Sequence, residues 1–175
     1  MTTTTTIAPL SPAGFHHSVD DLAALLADTV ADGSSLGFLS PLDHATAAAW
    51  WHAQAPAVTD GTLTVWAAHH LGRLTGTVSL YRERKPNGAH RAEIVKLMVH
   101  RHARRHGLAR RLLATAEHAA AQAGITLLLL DTETGSAAEH LYTAAGWTRY
   151  GIVPDYAADP AGTPRDCSFF YKELR

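Results

Sequence analysis

The segment EIVKLMVHRHARRHGLARRLLATAEHAAAQA, residues 93–123, changes character twice. It opens as an apolar strand, passes through an arginine-rich turn, and continues from Leu108 with apolar residues at helical spacing. Gly107 stands where the helix begins. The first N–H groups of a helix have no intrahelical partner and lie at the positive end of its dipole, so a glycine-containing turn flanked by cations is an anion site. Arg101, Arg104, Arg105, Arg110 and Arg111 fall within eleven positions. Two readings of that cluster stay open: a patch for a compact polyanion such as phosphate, or a solvated helix face.

Downstream, Leu108, Leu112, Leu113, Ala116 and Ala119 or Ala120 form the buried stripe of a helix that stops at Gly124. Residues 125–130 are a continuous apolar run, the mark of a strand covered on both faces, and Asp131 closes it. Strand, helix and strand make a βαβ unit. A short helix from about Ser136 to a stop at Gly146 follows, then two strands over residues 147–153 and 167–172, separated by the loop VPDYAADPAGTPRD.

Upstream, residues 92–99 alternate, which puts Glu93, Val95, Leu97 and Val99 on one face and Ile94, Lys96 and Met98 on the other. They complete a meander with strands at 63–68 and 73–84, joined by the turn His69-His70-Leu71-Gly72 and followed by a second turn at Pro86-Asn87-Gly88. Two helices precede it. One covers residues 19–31 with Ser18 as N-cap and Gly33 as stop, and the other starts at Ser40-Pro41 and runs through Ala47, Trp50, Trp51 and Gln54. Phe38, Trp50 and Trp51 are candidates to line a pocket, but aromatics at this spacing are more often core, and both tryptophans read as core. Residues 3–7 are β-branched and read as a first strand, ended by Pro9 and Pro12.

At 175 residues with 46% hydrophobic content, one domain spanning 1–175 is expected. A net charge of −1 gives no overall basic field for nucleic acid or an anionic membrane surface. Cys167 is the single cysteine, so no intrachain disulfide is possible, and the start of the chain lacks the basic-then-apolar order of a signal peptide. A cytoplasmic protein without a membrane partner is expected. The histidines at 16–17, 69–70 and 100, 102 and 106 lack metal-ligand spacing, so no metal site is expected; His100 and His102 are candidates for touching phosphate or for solvated loop positions.

The order of elements and two motifs carry a resemblance. Arg104-Arg105-His106-Gly107-Leu108-Ala109, between a strand and a helix, is similar to the Q/R-x-x-G-x-G/A cofactor signature of the GNAT superfamily of acetyl-CoA-dependent N-acetyltransferases. HLYTAAGW, residues 140–147, resembles its L-Y-x-x-x-G-F/W block, and the likeness extends over nearly the whole chain. It implies an α/β (α+β) fold: a mixed, splayed sheet of about seven strands with four helices, and acetyl-CoA wedged between the strands at 93–99 and 125–131. A Walker A loop does not fit, because no Lys-Ser/Thr follows Gly107.

The resemblance also implies roles. Arg104, Arg105, His106, Gly107, Leu108, Ala109 and Arg110 would surround the diphosphate, while Leu97, Met98 and Val99 would offer backbone groups, the Leu97 N–H to the thioester carbonyl. Ala92-Glu93-Ile94-Val95 resembles the strand of the histone-modifying members, which makes Glu93 the base through water. Residues 131–139, DTETGSAAE, resemble the tabtoxin-resistance type, so Asp131 joins Glu93 as an acidic pair for a cationic amine or else caps its strand. Tyr142 matches the acid that protonates the departing thiolate. Many members carry Asn seven residues before that tyrosine; Gly135 stands here, with Ser136 beside it as a pantetheine contact. Phe38, Glu93, Asp131, Asp155 and Tyr156 would line the acceptor pocket. The expected partner is a small-molecule amine, such as an amino-acid-like toxin, antibiotic or metabolite; dimers are common among relatives, which leaves a homodimer open while the sequence does not reveal the oligomeric state. A peptide or protein acetyltransferase and a silent CoA-binding sensor are the alternatives.

Overall fold

The computed structural model describes residues 5–174. Its strands are β1 (Thr6–Pro9), β2 (Leu63–His70), β3 (Arg73–Arg82), β4 (Arg91–Val99), β5 (Leu127–Glu133), β6 (Thr148–Ala158) and β7 (Pro164–Glu173). Its helices are α1 (Pro12–Ala31), α2 (His44–His52), the short α3 (Ala55–Thr59), α4 (Leu108–Gln122) and α5 (Ala137–Ala144). The strands form one sheet in the order β1-β2-β3-β4-β5-β7-β6. Only β4 and β5 run parallel, joined by the α4 crossover. The mixed seven-stranded architecture is the GNAT arrangement expected from the motifs. None of the described helices is long and apolar enough to cross a membrane.

Apolar side chains cover both sheet faces. Under α4, Leu112, Leu113 and Ala116 pack on Trp66, Val78, Ile94, Leu128 and Phe170; under α1 and α2, Leu22, Leu26 and Trp51 pack on Val65 and Met98. α1 begins at Pro12, seven residues before the expected start, because Ser11 accepts from the Gly14 N–H at 3.1 Å and Phe15 extends the buried stripe of Val19 and Leu22. The second helix starts at His44 rather than at Ser40-Pro41, since the Asp43 carboxylate supplies its cap by accepting from Thr46 N–H at 2.7 Å. Ser40 instead donates its N–H to Pro160 O at 2.8 Å.

Three strand assignments move as well. His69 and His70 belong to β2, and the turn narrows to Leu71 and Gly72, both at positive φ (52° and 74°), as a two-residue hairpin of that hand requires. Pro9 lies within β1, tolerated because β1 is an edge strand, while positions 3 and 4 of the expected first strand lie outside the described residues. The loop between the last two strands is mostly strand: β6 and β7 extend to Ala158 and Pro164, closed by Asp159, which accepts from the N–H groups of Ala161 and Thr163 at 3.0 and 2.9 Å.

The consequential departure is in β4. Thr77 opposes Met98 and Ser79 opposes Val95, so the two residues Lys96 and Leu97 face Val78 alone, and Lys96 sits at φ 52°. This is a β-bulge, and it reverses the alternation beyond it. Ile94, Leu97 and Val99 lie on the α4 side, whereas Val95 and Met98 lie on the α1 side. Leu97 and Val99 therefore do not share the face of Glu93 and Val95.

α4 lies close on β3 at Gly76, where an added Cβ would stand 3.0 Å from both Leu112 Cδ1 and Met98 O. Gly76→Ala is expected to lower stability by about 1–3 kcal/mol through overpacking against backbone, measured by urea denaturation.

Candidate active site

β4 and β5 pair for only three residues, Arg91, Glu93 and Ala92 against Leu127, Leu129 and Leu128. Beyond Glu93, β4 stays paired to β3 and β5 to β7, and the two parallel strands part. Residues 94–99 and 130–133 thus each turn one backbone edge toward a wedge-shaped gap, and edge amides in such a place call for a hydrogen-bonding guest.

The registers place Leu63, Tyr81, Glu93, Leu129 and Tyr171 in one row across the sheet. Asp131 is two residues beyond Leu129 and shares its face, so the two carboxylates flank the point where the strands separate. Glu93 is exposed at the gap, but desolvation by the surrounding protein raises its pKa, the Asp131 charge raises it further, and the Lys96 ammonium opposes both. The Lys96 pKa is lowered by its own burial, against the attraction of Asp131 and Glu93. Its Nζ donates to Leu36 O at 2.8 Å and stands 5.0 Å from the Trp50 ring and 5.6 Å from the Phe38 ring. On the other flank the Cys167 thiol donates to Asp131 Oδ2 at 3.3 Å; burial, then the Asp131 charge, pushes its pKa up to about 12.

Tyr142 occupies the opposite face, 6% exposed, with ring centroids 6.0 Å from Trp147 and 6.1 Å from Phe170. Its pKa is raised by burial and then by Asp131, so Asp131 acts electrostatically on both Glu93 and Tyr142. One turn earlier on α5, Glu139 accepts from Gly135 N–H at 2.6 Å, Ser168 Oγ at 2.7 Å and Arg149 at 3.0 Å. The Ser168 hydrogen bond is the main cause of its lowered pKa. This network pins the β5–α5 turn and with it the start of the helix that carries Tyr142. Ser136 is the α5 N-cap, accepting from Glu139 N–H at 3.2 Å with its hydroxyl 3.3 Å from Thr132 Oγ1.

The arginine-rich turn divides its cations. Arg101 pairs with Asp28 at 2.7 Å, Arg104 pairs with Asp32 and donates to Val99 O at 3.0 Å, and Arg111 donates to Thr5 O at 2.9 Å. The Arg104 hydrogen bond holds the Asp32 carboxyl below the usual range. Arg105 and Arg110 are exposed and make no ion pair among the described residues. Arg105 and Gly107 both have positive φ (65° and 72°), and Gly107 occupies the α4 N-cap with no side chain accepting from the first turn. Leu108 is buried and anchors the turn, Ala109 is half-buried, and His106 is exposed. Alternating backbone hand with uncapped amides is an anion-binding nest.

Among the expected acceptor residues, Phe38 reaches the Glu93 side through Lys96 and stacks edge-on against Trp50 at 5.6 Å. Tyr156 is exposed and packs edge-on on Phe169 at 5.1 Å, beside Asp131, which pairs with Phe169. Asp155 lies at an irregularity of β6, with φ 50° and its N–H donated to Asp166 Oδ1 at 3.1 Å. Met98 turns its side chain into the α1 core, leaving its backbone to the strand. Trp51 is core as expected, but Trp50 is half-buried and borders a cavity on the Glu93 side with Ser79, Tyr81 and Lys96. Phe38, Trp50 and Trp51 are pocket candidates in the sequence, with core favoured for both tryptophans; Trp50 and Trp51 do line the cavity, and the further signal is the register that puts Tyr81 beside Glu93. Among the described residues, no group of three or more His, Cys, Asp or Glu is placed to hold a metal ion.

A sequence profile of the acetyltransferase (GNAT) family matches residues 29–147. Solved structures share the whole architecture. An N-acetyltransferase from Staphylococcus aureus Mu50 is 15% identical with a TM-score of 0.80, covering 98% of this chain and 99% of its own. A ribosomal-protein-alanine N-acetyltransferase from Brucella melitensis is 23% identical at 0.76, covering 97% and 99%. A protein from Salmonella typhimurium, assigned as an acetyltransferase and solved with its cofactor acetyl-CoA, is 21% identical at 0.76, covering 98% and 94%. At these identities the structures speak for the fold, and the profile for the family. The chain belongs to the GNAT family. It is an acetyl-CoA-dependent N-acetyltransferase.

The residues present fit that cosubstrate. Uncapped amides at Gly107 and two arginines without an ion pair among the described residues suit a diphosphate, and the open backbone edges of residues 94–99 and 130–133 suit an amide-bearing arm. What acetyl-CoA supplies there is an acetyl group on an activated thioester. A Cβ at position 107 would meet nothing within 4 Å, so the glycine serves backbone hand rather than space. Gly107→Ala is expected to cost about 1–2 kcal/mol of stability, the penalty of a left-handed L-residue, read from chemical denaturation of the two proteins.

Proposed function

We propose that the chain transfers acetyl to the primary amine of a small molecule, an amino-acid-like toxin, antibiotic or metabolite, by direct attack in a ternary complex. It would do so as a single domain in the cytoplasm. The observation that carries this reading is the acidic pair: Glu93 and Asp131 flank the opening between β4 and β5, and the Asp131 charge acts on Glu93 and, from the opposite face, on Tyr142.

An amine near neutral pH is mostly protonated, so two carboxylates attract and hold it. Glu93, whose pKa is raised by desolvation and by the Asp131 charge, takes the proton through water, which frees the nitrogen lone pair to form the new C–N bond. As the C–S bond breaks, Tyr142 gives its phenolic proton to the departing thiolate. Burial keeps that phenol protonated until it is needed. The Leu97 N–H, on a β4 edge that faces the gap, polarises the carbonyl. Arg105, Arg110 and the amides after Gly107 hold the diphosphate, while Arg104 keeps the turn in place through Asp32 and Val99. The acidic pair and the residues at 131–139 resemble those of the tabtoxin-resistance type, which supports a small amine as acceptor.

A second reading is transfer to a protein N-terminus, favoured by the likeness to the ribosomal-protein-alanine enzyme. Thiol release with a panel of small amines and of peptides separates them. Turnover of small amines is expected, and transfer confined to peptides would refute the small-molecule assignment.

Two mutational outcomes follow. Tyr142→Phe and Glu93→Gln should each lower kcat by about 10²-fold or more, with the calorimetric Kd for acetyl-CoA little changed. The acidic limb of the pH profile of kcat/KM reports ionisation of Glu93. Asp131→Asn removes a negative neighbour, lowers the Glu93 pKa and moves that limb to lower pH; Lys96→Met removes a positive neighbour and moves it to higher pH. Shifts of the same sign in both variants would dismiss Glu93 as the titrating base.

A further inference from the structure

On the β3 side of Glu93, the residues Trp50, Trp51, Ser79, Tyr81, Glu93 and Lys96 contribute to a cavity of about 160 Å³. An apolar cavity of about 150 Å³ admits benzene, so a six-membered ring is the scale of guest. Leu63, Val95 and the aromatic faces make most of the wall apolar. Its polar groups are unusual in one respect. Trp51 and Ser79 are 0% and 1% exposed, yet the Trp51 Nε1 and the Ser79 Oγ have no hydrogen-bond partner among the described residues. Other buried hydroxyls are satisfied: Thr77 donates to Trp66 O at 2.8 Å and Thr29 to Leu25 O at 2.7 Å.

An unpaired buried donor costs roughly 1–3 kcal/mol, so two of them in residues lining one cavity ask for a reason. The indole N–H is a donor only, and its complement must be an acceptor atom. Lys96 gives one of its three N–H donors to Leu36 and adds donor capacity to the same wall. Glu93, at the junction of cavity and strand gap, complements an ammonium. The walls therefore describe a molecule with a cationic amine at one end and an oxygen acceptor a few bonds away on a compact apolar frame.

We propose that this cavity is the subsite for the acceptor's substituent, and that the acceptor is a primary amine whose substituent, no larger than about a six-membered ring, presents a hydrogen-bond-accepting oxygen to Trp51 and Ser79. The inference rests on the acetyltransferase reading, with Glu93 facing the amine. An uncharged ether or carbonyl oxygen and a carboxylate share this chemistry, and Lys96 distinguishes them.

The test uses the full chain and two pairs of amines matched in shape. Tetrahydrofurfurylamine against cyclopentylmethylamine exchanges a ring CH2 for oxygen, and glycine against isobutylamine exchanges an isopropyl group for carboxylate. In at least one pair the oxygen-bearing member is expected to have a kcat/KM about tenfold or more above its twin. Ser79→Ala and Trp51→Phe should each bring the kcat/KM ratio of the two members of that pair toward one. Ser79→Ala removes an unpaired hydroxyl and is expected to fold at least as well as the parent, so the test survives a failure of Trp51→Phe to fold. A preference confined to the glycine pair and lost in Lys96→Met identifies a carboxylate; one confined to the ring pair and kept in Lys96→Met identifies an uncharged oxygen.

A readout without turnover comes from the ¹⁵N-indole resonance of Trp51, titrated with the same amines in the presence and absence of coenzyme A. Displacement by the oxygen-bearing members and not by their twins is expected. A resonance unmoved by all four amines, or moved equally by both members of each pair, overturns the subsite. Failure of acetyl-CoA to bind, with the indole resonance still responding to oxygen-bearing amines, would overturn the enzyme reading and leave the cavity assignment standing.

Discussion

Two parallel strands hold together for three residues and then separate, and the rest of the site depends on that separation. The bulge at Lys96 supplies a local cause. An extra residue in the left-handed region bends and twists β4 just past its last pair with β5, while β5 continues undisturbed along β7. A gap in the middle of a sheet would be costly if its amides had no partner, and a linear ligand with amides of its own is the natural complement. The same bulge returns Leu97 and Val99 to the α4 core and puts Lys96 over Phe38 and Trp50. One backbone irregularity thus opens the cosubstrate gap and places the ammonium that opposes the rise in the Glu93 pKa.

Charge is distributed with similar consequences. Asp28 and Asp32, at the end of α1, take up Arg101 and Arg104, so these guanidiniums brace the turn against a helix, and Arg105 and Arg110 are left without a protein carboxylate among the described residues. Exposed pairs of this kind contribute little stability individually. Their effect is positional: they seat the loop whose amides open at Gly107. Asp131 plays the corresponding part at the other end of the gap, raising the pKa of Glu93 on one face and of Tyr142 on the other. Glu139, held by Ser168, Gly135 and Arg149, fixes the turn that leads to Tyr142.

Much of this was legible in the chain. The βαβ unit around Gly107 and the Tyr142 helix carry strong periodicity and clear stops, and the acidic residues sit at strand positions that alternation reveals. The bulge was not legible, because β4 is apolar on both faces beyond Glu93 and either register reads alike. Phe15 was obscured by the histidines beside it, which hid the first two turns of α1. Ser40-Pro41 has the look of a cap followed by a first helical residue, but the Asp43 carboxylate does the capping. Pro and Gly suggested a loop across residues 153–166, whereas the outer hairpin of a sheet accommodates both. The cavity beside Glu93 is lined from α2 and from three strands, β2 to β4, a juxtaposition that no local pattern encodes.

Amide hydrogen exchange with and without coenzyme A addresses the parting of the strands most directly. The ligand is expected to slow exchange together at residues 94–99 of β4 and in the first turn of α4 after Gly107, because both sets of N–H groups gain an acceptor at once. Slowed exchange elsewhere with those two segments unaffected, or protection of the helix turn alone, would contradict a cosubstrate wedged between β4 and β5.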